Sequence, residues 1–75
     1  MEKIKQVFHN IGRDDINENM SNIYSNGDID SFTIFDIVSE IENVCGVELP
    51  ADALEPENFE SFATIKAMVE KVKNS

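Results

Sequence analysis

The sequence predicts an all-α fold: a small four-helix bundle with three main helices, one short third helix and a long first loop. Apolar residues recur at spacings of three and four in three separate stretches. Gly and Pro number only three and two, so helix-breaking punctuation is sparse. The β-branched residues are scattered among Glu, Lys, Ala and Met instead of alternating as strands require. Seventy-five residues are expected to form one domain, residues 1–75, near the lower size limit for folding on a single core.

The first helix is predicted from Ile4, Val7, Phe8 and Ile11, which share one face at i, i+3, i+4 and i+7. Gly12 is its expected stop, because glycine tolerates the left-handed geometry of a helix end. About three turns long, this helix needs packing to persist. A polar connection follows from Arg13 to Asp30, rich in Asn and Asp, with Met20, Ile23 and Tyr24 as anchors to the core. So long a connection in a small domain points to a structured, functional loop. Asn26-Gly27 marks a turn near its end.

The second helix is expected from Ser31 to Cys45, with Asp30 as N-cap and Gly46 as terminator. Its apolar residues exceed what one core-facing stripe needs, so it should be central or carry an exposed apolar edge. Pro50 biases Leu49 toward extended backbone. Between Ala51 and Glu60 only a short helical turn is expected, near Glu57 to Phe59, with Leu54 and Phe59 as core contacts. The last helix starts at a Ser61 cap and carries Phe62, Ile65, Met68, Val69 and Val72. Lys71 and Lys73 in its final turn complement the helix dipole.

Charge narrows the function. The net charge is −9, and thirteen carboxylates lie between Asp14 and Glu60 without a Lys or Arg among them. Such a field disfavours nucleic acid and anionic membranes and steers basic protein surfaces toward the middle of the chain. No stretch has membrane-spanning length or the pattern of a signal peptide, and the lone Cys45 cannot form an internal disulfide. A cytoplasmic monomer is the expectation. His9 is the only histidine and has no evident orienting partner; Cys45 reads as a small core residue, and the carboxylates as a solvated face. An enzyme is therefore not expected.

The segment Gly27-Asp28-Ile29-Asp30-Ser31-Phe32 places one serine hydroxyl at the first turn of the major helix, directly after the long loop. Taken alone, Asp-Ser before a helix reads as a capping pair. Its setting adds to that. Asn22-Ile23-Tyr24-Ser25-Asn26-Gly27-Asp28-Ile29-Asp30-Ser31-Phe32 resembles the segment of acyl, aminoacyl and peptidyl carrier proteins that leads into their modified serine. Ile41 to Pro50 is similar to the acidic helix end and the hydrophobic-acidic-hydrophobic-Pro run that follow it. Phe59, Ser61 and the Ile65/Met68/Val69 stripe match the family's last two helices. The likeness covers about residues 20–72 and looks closest to stand-alone members such as D-alanyl carrier proteins and acyl carrier protein homologues of biosynthetic clusters.

The resemblance implies a bundle of the acyl-carrier type with 4′-phosphopantetheine attached to Ser31 by a separate transferase. The arm's thiol then holds an acyl or aminoacyl group as a thioester. Asp30 matches the residue before the modified serine, and the phosphodiester lies at the positive end of the helix dipole. Phe32, Phe35, Asp36, Glu40 and Glu42 are the implied docking residues for partners with basic patches: the transferase, an acyl- or aminoacyl-activating ligase, and a downstream transferase or synthase. Phe32 departs from the usual Leu or Met, and Cys45 stands where an aromatic is common.

Two rival readings need no covalent arm. Asn26-Gly27-Asp28-Ile29-Asp30 resembles the middle of an EF-hand calcium loop. That register puts Tyr24 third and Thr33 twelfth, where a carboxylate and a bidentate Glu belong. An acidic inhibitor or mimic accounts for the charge but not for the Asp-Ser placement.

Overall fold

The computed structural model describes residues 2–74. Among them the chain is all-helical: α1 (Glu2–Asn10), α2 (Ser31–Cys45) and α3 (Phe62–Lys73), with two 3₁₀ turns, Ala51–Ala53 and Pro56–Phe59, between α2 and α3. The expected short third helix is thus a single 3₁₀ turn, and a second turn precedes it. Pro56 opens the later one at a position where its missing N–H costs nothing. The architecture is a bundle of three α-helices, short of a fourth.

Each helix end follows from its sequence. Beyond α1, the Arg13 N–H donates to the Phe8 carbonyl (2.8 Å) and the Gly12 N–H to the His9 carbonyl (3.0 Å). This paired pattern, with Gly12 at φ +78°, is a Schellman ending. At the end of α2 the Gly46 N–H donates to the Glu42 carbonyl (3.1 Å), again from the left-handed region. α3 opens with a reciprocal cap: the Thr64 N–H donates to Ser61 Oγ (3.2 Å), and the Ser61 N–H donates to Thr64 Oγ1 (3.0 Å).

The core is built from one stripe per helix: Ile4, Val7 and Phe8 from α1, Ile34, Ile37 and Ile41 from α2, and Phe62, Ile65, Met68 and Val69 from α3. Phe8 and Phe62 stack with ring centroids 4.9 Å apart and planes 18° from parallel, which ties α1 to α3. Phe59, fully buried, brings the second 3₁₀ turn into the same cluster. The long loop contributes Ile16, Ile23 and Ile29, all buried. Of the anchors expected there, Ile23 is a core residue, whereas Met20 and Tyr24 are half-buried against the core. Ile16 and Ile29 are the stronger pegs.

The surplus apolar surface of α2 resolves into an edge. Val38, Val44 and Cys45 lean partly buried against the core, while Phe32 and Phe35 are 80% and 65% exposed. No helix among the described residues is long and apolar enough to cross a membrane.

Candidate functional site

The site is built from the end of the long loop and the first turns of α2. Asp30 caps the helix: its Oδ1 accepts from the Thr33 N–H (2.8 Å) and the Thr33 hydroxyl (3.0 Å). These two bonds, the backbone one foremost, hold its carboxyl below the usual range. Ser31 is the first residue of α2 and is exposed. With capping done by Asp30, the Ser31 hydroxyl makes no hydrogen bond to any described residue.

The loop before Ser31 is fixed from two sides. On one side Glu60 reaches across from the start of α3. Its carboxylate accepts from the backbone N–H groups of Tyr24 and Ser25, both at 2.9 Å, and from the Ser25 hydroxyl. Its carbonyl also accepts from the Ile23 N–H (2.9 Å). The Ser25 hydroxyl, then the Ser25 and Tyr24 amides, lower the Glu60 pKa from its ordinary value. On the other side Arg13 pairs with both carboxylate oxygens of Asp15 (3.0 and 3.1 Å) and donates to the Asp28 carbonyl (2.6 Å). The bond to Asp15 is the largest cause of its raised pKa; the fields of Asp28 and Asp30 add to it. Within the loop, the Ile29 N–H donates to the Ile23 carbonyl (3.1 Å) between two buried side chains. Gly27 turns the chain at φ +83°, where an L side chain is strained.

Sequence reasoning placed Asp30, Ser31, Phe32, Phe35 and Asp36 together, and all five are exposed at this end of α2. Phe32 and Phe35, one turn apart, form an apolar edge beside Ser31, with Asp36 on the next turn. Glu40 and Glu42 differ from these. At 3.6 residues per turn they lie about 80° to either side of Phe32, and both are half-buried. Glu40 Oε1 accepts from Asn10 Nδ2 (2.9 Å), tying α2 to the end of α1, and Glu42 Oε2 accepts from the Leu49 N–H (2.9 Å). Glu40 and Glu42, unlike Asp36, thus have internal roles that the sequence did not reveal.

Two residues of this region escaped sequence reasoning. Arg13 is the lone base near the loop, and Glu60 precedes the α3 cap; the residues their side chains reach, Asp28 and Tyr24, lie 15 and 36 residues away. The only available signal was a single cation flanking an acidic segment. His9, expected to lack a partner, lies 2.8 Å from Asp14 through Nδ1 on an exposed surface. Cys45, expected in the core, is half-buried at the far end of α2.

The chain matches no protein-family model, and no curated protein or solved structure shows significant similarity to it.

Proposed function

We propose that this chain is a phosphopantetheine-dependent carrier protein that tethers an acyl or aminoacyl intermediate as a thioester and shuttles it between partner enzymes. The observation that carries this reading is Ser31: an exposed hydroxyl, free of capping duty, at the first residue of α2 and beside two exposed phenylalanines. A cap that needed Ser31 would leave no hydroxyl to modify; here Asp30 does that work. The 4′-phosphopantetheine group supplies a thiol for thioester chemistry when attached. Ser31 Oγ holds its phosphate, and the neighbouring N–H groups of the first helical turn favour an anion there. The Glu60 and Arg13 contacts limit movement of the loop, so the attachment point is presented in one geometry. Phe32, Phe35 and Asp36 form the surface that partners read: aromatic anchors with an acidic neighbour, suited to an apolar pocket rimmed by Lys or Arg.

The test is intact mass after incubation with coenzyme A, magnesium and a broad-specificity phosphopantetheinyl transferase. Wild type should gain the mass of one arm and Ser31→Ala none. No gain with several transferases, on protein shown to be folded, rejects the carrier reading. The exposed Phe32/Phe35 edge then favours an acidic interaction module that has no arm.

A further inference from the structure

Three of the six basic residues line one cleft at the opposite end of α2 from Ser31. It opens between the first turn of α1, the last residue of α2 and the stretch of α3 from Lys66 to Lys73, and holds about 240 Å³. Buried Ile4 and Val69, with half-buried Cys45, supply apolar walls, and the exposed Lys3, Lys66 and Lys73 line it from α1 and α3. Glu70 lies 4.0 Å from Lys66, and Glu2 also borders the cleft. Among the described residues the lining side chains therefore carry one net positive charge, three lysines against two glutamates, on a chain whose total is −9.

An apolar floor under a lysine rim matches an amphiphilic monoanion. An alkyl tail packs on Ile4, Val69 and the methylene stems of the lysines, and the head group stays among the ammonium groups at the solvent edge. An apolar cavity of about 150 Å³ holds benzene, so this larger cleft suits a tail of roughly six to eight carbons. We infer that the cleft binds medium-chain alkyl carboxylates non-covalently. Fourteen residues of helix separate Cys45 from Ser31, about 21 Å at 1.5 Å per residue, so this binding does not depend on an arm at Ser31.

Cys45 is the only cysteine and borders the cleft, so its alkylation by neutral N-ethylmaleimide, followed by intact mass, reports occupancy. Octanoate, kept below its micellar concentration, should slow alkylation at least fivefold and saturably. Acetate, which has the charge without the tail, and octylammonium, which has the tail with the opposite charge, should change the rate less than twofold at equal ionic strength. Ser31→Ala should keep the octanoate protection. The Lys3→Gln/Lys73→Gln variant, altered only at exposed positions, should raise the half-protecting octanoate concentration roughly three- to tenfold, as expected for losing two solvent-exposed ion pairs. Absence of octanoate protection, equal protection by octylammonium, or an unchanged half-protecting concentration in the lysine variant overturns the inference.

Discussion

The chain has five phenylalanines, and the structure assigns them opposite duties that one mutational comparison separates. Phe62 is fully buried and stacked on Phe8; truncating such a residue costs about 3–5 kcal/mol, because lost transfer energy and the residual cavity add. A domain of this size has a total stability of about 4–11 kcal/mol at ~0.05–0.15 kcal/mol per residue, so Phe62→Ala should remove a large share of it. Phe32 keeps only a fifth of its surface from water and Phe35 about a third. Full burial of a phenylalanine contributes about 1.5–3 kcal/mol. The two exposed rings together therefore contribute roughly 1–1.5 kcal/mol, and alanine's better helix propensity returns up to about 0.5 kcal/mol at each position. The Phe32→Ala/Phe35→Ala variant should lose less than about 1 kcal/mol.

Urea unfolding followed by circular dichroism measures the difference. With a slope near 1 kcal/mol/M, Phe62→Ala should lower the midpoint by about 3–5 M, and the double variant by less than about 1 M. Should Phe62→Ala already be unfolded in buffer, Phe62→Leu gives a graded version with about 1–3 kcal/mol lost. The functional half follows from the same numbers. On the proposed docking role of these two rings, the double variant should be modified at Ser31 at least tenfold more slowly by the transferase. Equal destabilisation by the buried and exposed changes refutes the packing assignment. Wild-type modification of a stable double variant refutes the docking role.

Glu60 makes the loop clamp sensitive to pH. Its folded pKa is depressed below the ordinary 4.5. Its contribution is therefore fully present above that value and is lost as pH falls through the depressed folded value. The gap in urea midpoint between wild type and Glu60→Gln should be wider at pH 7 than at pH 3, and a gap that does not change with pH contradicts the clamp. Gly12→Ala places a side chain at φ +78° with no heavy atom within 4 Å of the new Cβ, so only backbone strain is at stake. It should cost about 1–2 kcal/mol in the same assay. Raising ionic strength should weaken docking of a cognate enzyme, because the acidic surface around Ser31 is exposed and screened; salt-independent affinity counts against acidic docking.

What the sequence revealed is what local chemistry decides. Helix periodicity located α1, α2 and α3, and Asp30, Ser61, Gly12 and Gly46 marked their ends, because caps and left-handed glycines act within one turn. Ser31 stood out differently, through the resemblance of the segment from Asn22 to Phe32 to carrier proteins, since Asp-Ser alone reads as a capping pair. The long loop was legible only in outline. Ile16 and Ile29 sit among Asn and Asp with no periodicity to advertise burial, and the loop around them is held at long sequence separation, by Arg13 at the Asp28 carbonyl and by Glu60 at Tyr24 and Ser25. Glu40 and Glu42 show the same limit: a carboxylate at the edge of an exposed helical face looks identical in sequence whether it awaits a partner or holds Asn10 or the Leu49 amide.

The distribution of these carboxylates gives the molecule a direction. At the Ser31 end, Asp15, Asp28, Asp30 and Asp36 surround or follow the loop, and one arginine opposes them, itself occupied by Asp15 and the Asp28 carbonyl. At the Cys45 end, three lysines face two glutamates. The two poles lie about 21 Å apart along α2, farther than the screening length of about 8 Å at physiological ionic strength. An approaching basic surface therefore feels the nearer pole almost alone. It is drawn in at Ser31 and gains nothing at the lysine end, so encounter is oriented before any contact forms. On the proposed docking role, binding strength then rests on the exposed Phe32 and Phe35, which that orientation turns toward the partner. The carrier function proposed above needs fast arrival and ready release, and on that proposal long-range charge sets the approach and the two exposed rings set the residence time.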